Sequence, residues 1–232
     1  MFTFKVFNAV LNPLVCDVYI EGHIKVLKDY GITNITSNNN DWVNWDSVYG
    51  IYAEDENGKM VGGIRVQRAD GIHPLPVENA IGKMDKNIYK VVNNYRGEGV
   101  CELCALWNAK EVAGLGLSVL LVRAGISITN QINCKTMVGI CAEYTLDMFK
   151  RVGFEIDYSL GNKGEFIYPN ENYIARVVGI LNVDNLQTAD KTERENILAI
   201  RESTNQVREE IGKNNNIIKI NYALSLKQYQ VV

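Results

Sequence analysis

The stretch Val100–Leu106 and the loop that follows it, Val112-Ala113-Gly114-Leu115-Gly116, constrain this chain more than any other feature. They read as an apolar strand, a short polar patch, and a glycine pair at the mouth of a long helix running from Gly114 to Thr129. Glycine at such a place lets backbone come close to a ligand that a Cβ would hold away. The first amides of a helix have no intrahelical acceptor and sit at the positive end of its dipole, so an anion suits them. Three ligands use strand, glycine loop and helix in this order. A P-loop requires Lys-Ser or Lys-Thr after the last glycine, and none follows Gly116. A dinucleotide fold requires G-x-G-x-x-G, but Gly114-Leu115-Gly116 continues into Ser118 and Val119. The third use is the pyrophosphate cradle of an acyl-CoA, made by successive backbone amides, and beside it stands a tight helix–strand packing contact with no ligand at all.

The rest of the chain supplies alternating elements. Apolar residues at helical spacing predict a helix over 15–30, stopped by Gly31, and residues 36–41 form a polar loop. Asn57-Gly58 between two apolar runs, 48–53 and 60–67, predicts a hairpin, because both turn residues accept positive φ. Residues 69–98 are irregular, with a short helical candidate from Ile81 to Asn93. Then come strand 99–106, the glycine helix, strand 136–141, and an amphipathic helix over 145–152 closed by Gly153. Strands follow at 154–158 and 165–168, a charged helix from Thr188 to about Gly212, and a strand at 217–224. This order predicts an α/β (α+β) chain with a mixed, mostly antiparallel twisted sheet flanked by helices. Residues 1–183 form the main domain, and 184–232 a C-terminal helical extension packed on the same body.

Composition excludes several classes. With 47% hydrophobic and 22% charged residues over 232 positions, the chain can bury a proper core. A net charge of −3 with no basic run argues against nucleic acid. The apolar runs are shorter than the ~20 residues that span a bilayer, and Met1-Phe2-Thr3-Phe4-Lys5 lacks a signal-peptide layout, so a cytoplasmic protein is expected. Five scattered cysteines suit a reducing compartment. Cys101 and Cys104, three apart on a strand, point to opposite faces and cannot share a metal; no metal is expected.

The element order over roughly residues 45–170 resembles the GNAT acyltransferase family. The segment Phe149-Lys150-Arg151-Val152-Gly153-Phe154 is similar to that family's "LYEKLGF", and Val112–Gly116 to its donor-binding loop. A narrower likeness is to the acyl-homoserine-lactone synthases: Met60–Val66 with Arg65 is similar to their "G-x-V-x-G-x-x-R-L", Val100–Leu106 with Glu102 to "W-E-x-S-R-F", and Trp45-Asp46 with Tyr52 to "Y-D…A-x-Y". Four residues depart from these patterns. Glu111 stands where Arg or Gln is usual, Phe149 where a tyrosine often protonates the leaving thiolate, Ala105 where the lactone synthases carry arginine, and Val43 where they carry a first aspartate.

The resemblance implies acyl transfer from acyl-CoA (acetyl-CoA or longer) or an acyl carrier protein thioester to a primary amine of a small molecule. The amides of Val112, Ala113, Gly114, Leu115, Gly116 and Leu117 would hold the donor's pyrophosphate, and backbone N–H groups at Leu106, Trp107 and Asn108 the thioester oxygen. Glu102 would be the base, Arg65 would pair with Glu102 or grip a substrate carboxylate, and Tyr144 would supply the acid missing at Phe149. Trp45 and Asp46 would contact the acceptor; Trp42, Trp45 and Trp107 could line an acyl tunnel. Beside these stand plainer readings: a solvated Glu102, an ordinary ion pair at Arg65, a capping Asp46, a surface Tyr144 and core tryptophans. Two other functions fit the pattern, an autoinducer (acyl-homoserine-lactone) synthase and a non-catalytic acyl-CoA-binding module. The acceptor, the acyl length and the oligomeric state do not follow from the residues.

Overall fold

The computed structural model describes residues 1–29, 31 and 40–226. Of the polar loop expected at 36–41, residues 36–39 lie outside them. Strands β1 (Phe2–Asn8), β2 (Val48–Glu54), β3 (Met60–Arg68), β4 (Val100–Asn108), β5 (Thr136–Ala142), β6 (Glu155–Ile156), β7 (Glu165–Ile167), β8 (Ile174–Ile180), β9 (Asn205–Ile211) and β10 (Ile217–Ala223) join one sheet. Its order is β6-β8-β5-β4-β3-β2-β1-β10-β9, with β7 also on β8. Pairs β1–β10 and β4–β5 run parallel, and the other pairs antiparallel. The helices are α1 (Pro13–Asp29), α2 (Pro76–Ile81), α3 (Asn87–Tyr95), α4 (Leu117–Ser127), α5 (Leu146–Arg151) and α6 (Lys191–Glu202).

The hairpin forms as the Asn57-Gly58 signal predicts: Gly58 N–H donates to Asp55 O at 3.1 Å, and Asp55 N–H to Lys59 O at 3.0 Å. Four features differ from the sequence expectation. Strands β1 and β8 were not foreseen, although Phe2, Phe4 and Val6 alternate with Thr3 and Lys5 at the period of a strand. The candidate helix at 81–93 divides into α2 and α3 around an Asp85 turn, where Asp85 Oδ1 accepts the Asn87 amide at 2.9 Å. The charged helix stops at Glu202, and residues 205–211 form β9 instead, so the C-terminal extension is one helix and two strands. Glu and Arg favour helix locally, but pairing Val207 with Asn221 and Glu210 with Ile218 satisfies the backbone across the hairpin.

Helices α4, α5 and α6 cover one face, where Leu120, Leu121, Phe154, Ile197 and Ile220 belong to the largest core cluster. The other face carries two smaller cores. Phe7, Tyr19, Trp42 and Trp107 pack under α1, and Leu75, Val77, Ile88 and Val92 under α2 and α3. Between those two cores runs a strip of buried polar side chains, Arg65 and Gln67 on β3 and Glu102 on β4. Gln67 lies opposite Glu102 and Arg65 opposite Cys104, which places all four on one face.

The C-terminal extension is fastened by ions as well as by strand pairing. Arg123 on α4 donates to Glu193 of α6 at 2.5 and 3.0 Å and to Glu210 of β9 at 2.9 Å. Arg151 reaches Glu193 at 2.9 Å, and the Tyr222 hydroxyl donates to Glu210 at 3.0 Å. Arg123, Glu193 and Glu210 are buried, so each charge is met by more than one partner.

Candidate active site

Two features of β4 open a cleft in the middle of the sheet. The parallel ladder to β5 spans Val100–Glu102 against Thr136–Val138 and ends there. Beyond it, β4 bulges. Between Gly63/Trp107 and Arg65/Cys104 the strand carries an extra residue, and Ala105 sits at φ +50°. A bulge bends a strand and increases its local twist, which turns the far half of β4 away from β5. The Tyr19 hydroxyl of α1 holds the bulge by donating to Ala105 O at 2.6 Å. The cleft so formed has a volume of about 240 Å³. Cys104, Ala105 and Leu106 wall it on one side and Ile140, Cys141 and Ala142 on the other. Tyr144, Phe149, Tyr168 and Tyr173 stand at its rim, and Glu102 lines it among apolar neighbours.

Glu102 is fully buried, at 0% exposure. Its Oε2 accepts the Val77 amide at 2.7 Å, while Oε1 has no hydrogen-bond partner among the described residues. Burial pushes its pKa up to about 8, against the Val77 amide and Arg65, which favour the charged form. A carboxyl in this state exchanges its proton near neutral pH. The solvated alternative for Glu102 is therefore overturned.

Arg65 is also buried, at 2% exposure. It forms no ion pair with Glu102 or with any other described carboxylate. Its Nε donates to Cys104 Sγ at 3.3 Å, and its guanidinium carbon lies 4.8 Å from the Trp42 ring centroid. The ordinary ion pair is thus absent, because the register sets Arg65 against Cys104 and gives Gln67 the place opposite Glu102. His23 of α1 borders the cleft beside them, and burial, with Arg65 adding to it, lowers its pKa to about 4.

At the glycine loop, Gly114 (φ +80°) and Gly116 (φ +94°) both need the left-handed region. A Cβ on Gly114 would meet nothing within 4 Å, whereas one on Gly116 would lie 2.6 Å from the Lys213 backbone nitrogen. Lys213 N–H donates to Leu115 O at 3.1 Å, so the β9–β10 connection braces one side of the loop with backbone. The amides of Val112, Ala113 and Leu115 close turns onto Ala109, Lys110 and Val112. Those of Gly114, Gly116 and Leu117 have no acceptor among the described residues. A cavity of about 870 Å³ adjoins Gly114, Gly116, Ser118, Arg151 and Lys213. Glu111 turns outward to an ion pair with Lys59, clear of the loop.

The remaining nominated residues are dispersed. Leu106 lines the cleft; Trp107 is buried, its ring edge-on to Tyr19 at 5.9 Å under α1. Asn108, with its amide oxygen turned to Ser118, accepts from Ser118 Oγ at 2.6 Å and Ser118 N at 3.3 Å, capping the first turn of α4. Val112 packs in the core. Tyr144 is 77% exposed at the cleft rim. Trp45 stacks on His73 with ring centroids 4.1 Å apart, and Asp46 is exposed. Neither Trp45 nor Asp46 borders the cleft, because the turn into β2 carries them to the loop at 70–73. His23, Pro76, Tyr168, Pro169 and Tyr173 border it without having been nominated. The aromatic cluster at 168–173 was the available signal for the last three.

No family model matches the chain, and no curated protein matches it. Solved structures do. FeeM, an N-acyl amino acid synthase from uncultured soil microbes, superposes with a TM-score of 0.64 at 12% identity, over 84% of this chain and 98% of that one. BjaI, a CoA-dependent acyl-homoserine lactone synthase with SAM and isopentyl-CoA, gives 0.54 at 11%, over 87% and 90%. Escherichia coli ElaA gives 0.53 at 9%, over 78% and 99%. Splayed central strands, a bulged β4 and a glycine-opened α4 are thus set in a sheet shared with these proteins, and the chain has the fold of the GNAT-type acyltransferases.

Proposed function

We propose that this protein is an N-acyltransferase that moves an acyl group from an acyl-CoA thioester to the primary amine of a small molecule. The observation that carries the reading is Glu102, a fully buried carboxyl whose Oε1 has no partner among the described residues, lining a cleft between parted strands on the strand that leads into the glycine loop. The pyrophosphate is held by the amides of Gly114, Gly116 and Leu117, and the pantetheine arm runs into the cleft between β4 and β5. Along that side of β4, backbone from Leu103 onward has no strand partner among the described residues and offers N–H groups to the thioester oxygen. Glu102 takes a proton from the acceptor's ammonium, and the freed amine attacks the carbonyl carbon. As the oxyanion collapses and the C–S bond breaks, the nitrogen gives up its second proton and the departing thiolate takes one up, leaving the amide and the free thiol. Tyr144, which borders the cleft, would pass that proton from nitrogen to sulfur.

The donor follows the FeeM and BjaI folds, one an N-acyl amino acid synthase and the other a CoA-dependent lactone synthase. An acyl carrier protein thioester would present the same arm. The lactone reading adds ring closure of the acceptor, and mass spectrometry finding an amide product with no acyl lactone removes it.

A melting-temperature series with CoA esters of graded chain length tests donor binding, and thiol release on adding amines tests transfer. A rise in melting temperature with thiol release that Glu102→Gln abolishes is the expected result. A rise without thiol release leaves a binding module, and no response of either kind removes the reading.

A further inference from the structure

One turn of α2 binds two buried carboxyls. Pro76, which lines the cleft, has no N–H, so the turn offers the amides on either side of it. Leu75 N–H donates to Glu78 Oε2 at 2.7 Å, and Val77 N–H donates to Glu102 Oε2 at 2.7 Å. Glu78 is 5% exposed and Glu102 0%, and among the described residues neither forms an ion pair. Carboxyls are rarely buried this far without a cation. The turn is dry, since Leu75 and Val77 are fully buried in the core under α2 and α3. Gln67, opposite Glu102 on β3, anchors it to the sheet by donating to Pro74 O at 3.1 Å. In such surroundings a charge is weakly screened and acts on its neighbours.

Glu78 reaches Glu102 in two ways. Its bond to the Leu75 amide closes the turn, and the next amide of that turn fixes one oxygen of Glu102 while Oε1 stays without a partner. Burial raises both carboxyls, Glu102 further, so Glu78 ionises first and Glu102 then titrates against its charge. The other groups facing Glu102 are Arg65 on β3, which opposes this, the thiols of Cys101 and Cys104 on β4, and the apolar Val138 on β5. His23 of α1 borders the same cleft and is neutral near pH 7. Arg96, just after α3, faces Glu78 and favours its charged form. We propose that Glu78 is a positioning residue for Glu102: it closes the turn that orients the base, and its charge makes that base a stronger proton acceptor. The catalytic use of Glu102 rests on reading the cleft as an N-acyltransferase site, whereas the carboxyl pair does not.

The test reads Glu102 directly, by carbon-13 NMR titration of protein labelled at the glutamate carboxyl carbons, its resonance assigned from its absence in Glu102→Gln. Glu78→Gln keeps an oxygen for the Leu75 amide and loses the charge, whereas Glu78→Ala loses both. The expected wild-type midpoint is about 8. In Glu78→Gln it falls by about one pH unit. The pH limb of thiol release from hexanoyl-CoA, with isopentylamine as acceptor, moves down with it. Glu78→Ala also loosens the turn and costs about tenfold in kcat, with KM for hexanoyl-CoA kept. Should Glu78→Ala fail to fold, Glu78→Gln carries the test alone. A Glu102 midpoint that Glu78→Gln leaves in place overturns the proposal and leaves N-acyl transfer standing. If no thiol is released, the NMR midpoints decide: their fall in Glu78→Gln supports the carboxyl pair although transfer has failed, and an unmoved midpoint overturns it.

Discussion

The Val77 amide donates to Glu102 Oε2 at 2.7 Å, and Glu102 Oε1 is buried without a donor among the described residues. One oxygen is fixed by α2 and the other is left for chemistry. The arrangement is asymmetric for a reason that lies in the sheet: the residue opposite Glu102 is Gln67, whose side-chain amide is taken by Pro74 O at 3.1 Å.

Glu102 gives a pH dependence with a definite sign. Its pKa in the folded protein, about 8, lies above the ordinary 4.5 because burial disfavours the charge. The base is active when ionised, so kcat/KM rises with pH through about 8, and Glu102→Gln flattens that limb while keeping the Val77 bond through its carbonyl oxygen. Stability moves the other way. The folded state holds the proton more tightly, so the contribution is complete below pH 4.5 and declines as pH rises towards 8. Urea unfolding from pH 5 to 9 should therefore show the wild type losing stability relative to Glu102→Gln up to about pH 8, and a parallel pair of curves would refute the assignment.

The two loop glycines should respond differently to alanine. Both carry positive φ, which costs about 1–2 kcal/mol in an alanine. At Gly116 the new methyl also meets the Lys213 nitrogen at 2.6 Å, so Gly116→Ala should lose clearly more stability than Gly114→Ala. Gly114→Ala points into open space and should keep most of the stability while weakening the melting-temperature response to CoA esters. Equal unfolding midpoints for the two variants would contradict the brace seen at Lys213.

Removing one member of the buried ion network isolates another. Glu193→Gln leaves Arg123 with Glu210 as its one carboxylate and takes from Arg151 the nearer of its two, Asp190 remaining at 3.8 Å, for a loss of about 3 kcal/mol. The change is read as a fall in urea midpoint, and native-state hydrogen exchange should rise first in α6 and β9.

Tyr19→Phe removes the hydroxyl that holds the Ala105 carbonyl at 2.6 Å inside the bulge. The expected cost is about 1 kcal/mol, and kcat should fall more than donor affinity, because the bulge shapes the reacting end of the cleft and not the glycine loop. A variant with donor affinity lost and kcat kept would assign Tyr19 to the other end.

Local patterns announced much of this molecule. The Asn57-Gly58 turn, the long apolar run before the glycines, and the Gly153 stop after an amphipathic turn each depend on the conformations a few neighbouring residues prefer. Those preferences are short-ranged, and in these segments the tertiary context agrees with them. Glu102 was named through the likeness of Val100–Leu106 to a known strand motif, and its apolar neighbours Val100, Cys101 and Leu103 left both an inward and a solvated place open.

What the tertiary structure alone decided was which elements meet. Nothing local distinguishes β8 as a strand from a buried helical run, or shows that β9 leaves the helix its residues favour, because both are fixed by partners distant in sequence. The same holds at the site. Trp45 and Asp46, nominated through the resemblance, lie off the cleft, while Val77 donates to Glu102 and His23 borders the cleft, neither having been nominated. Sequence period gives the face of a residue on its own strand, but pairing register and the point where β4 parts from β5 arise from contacts summed over the whole sheet, and these set the polar strip against the cleft.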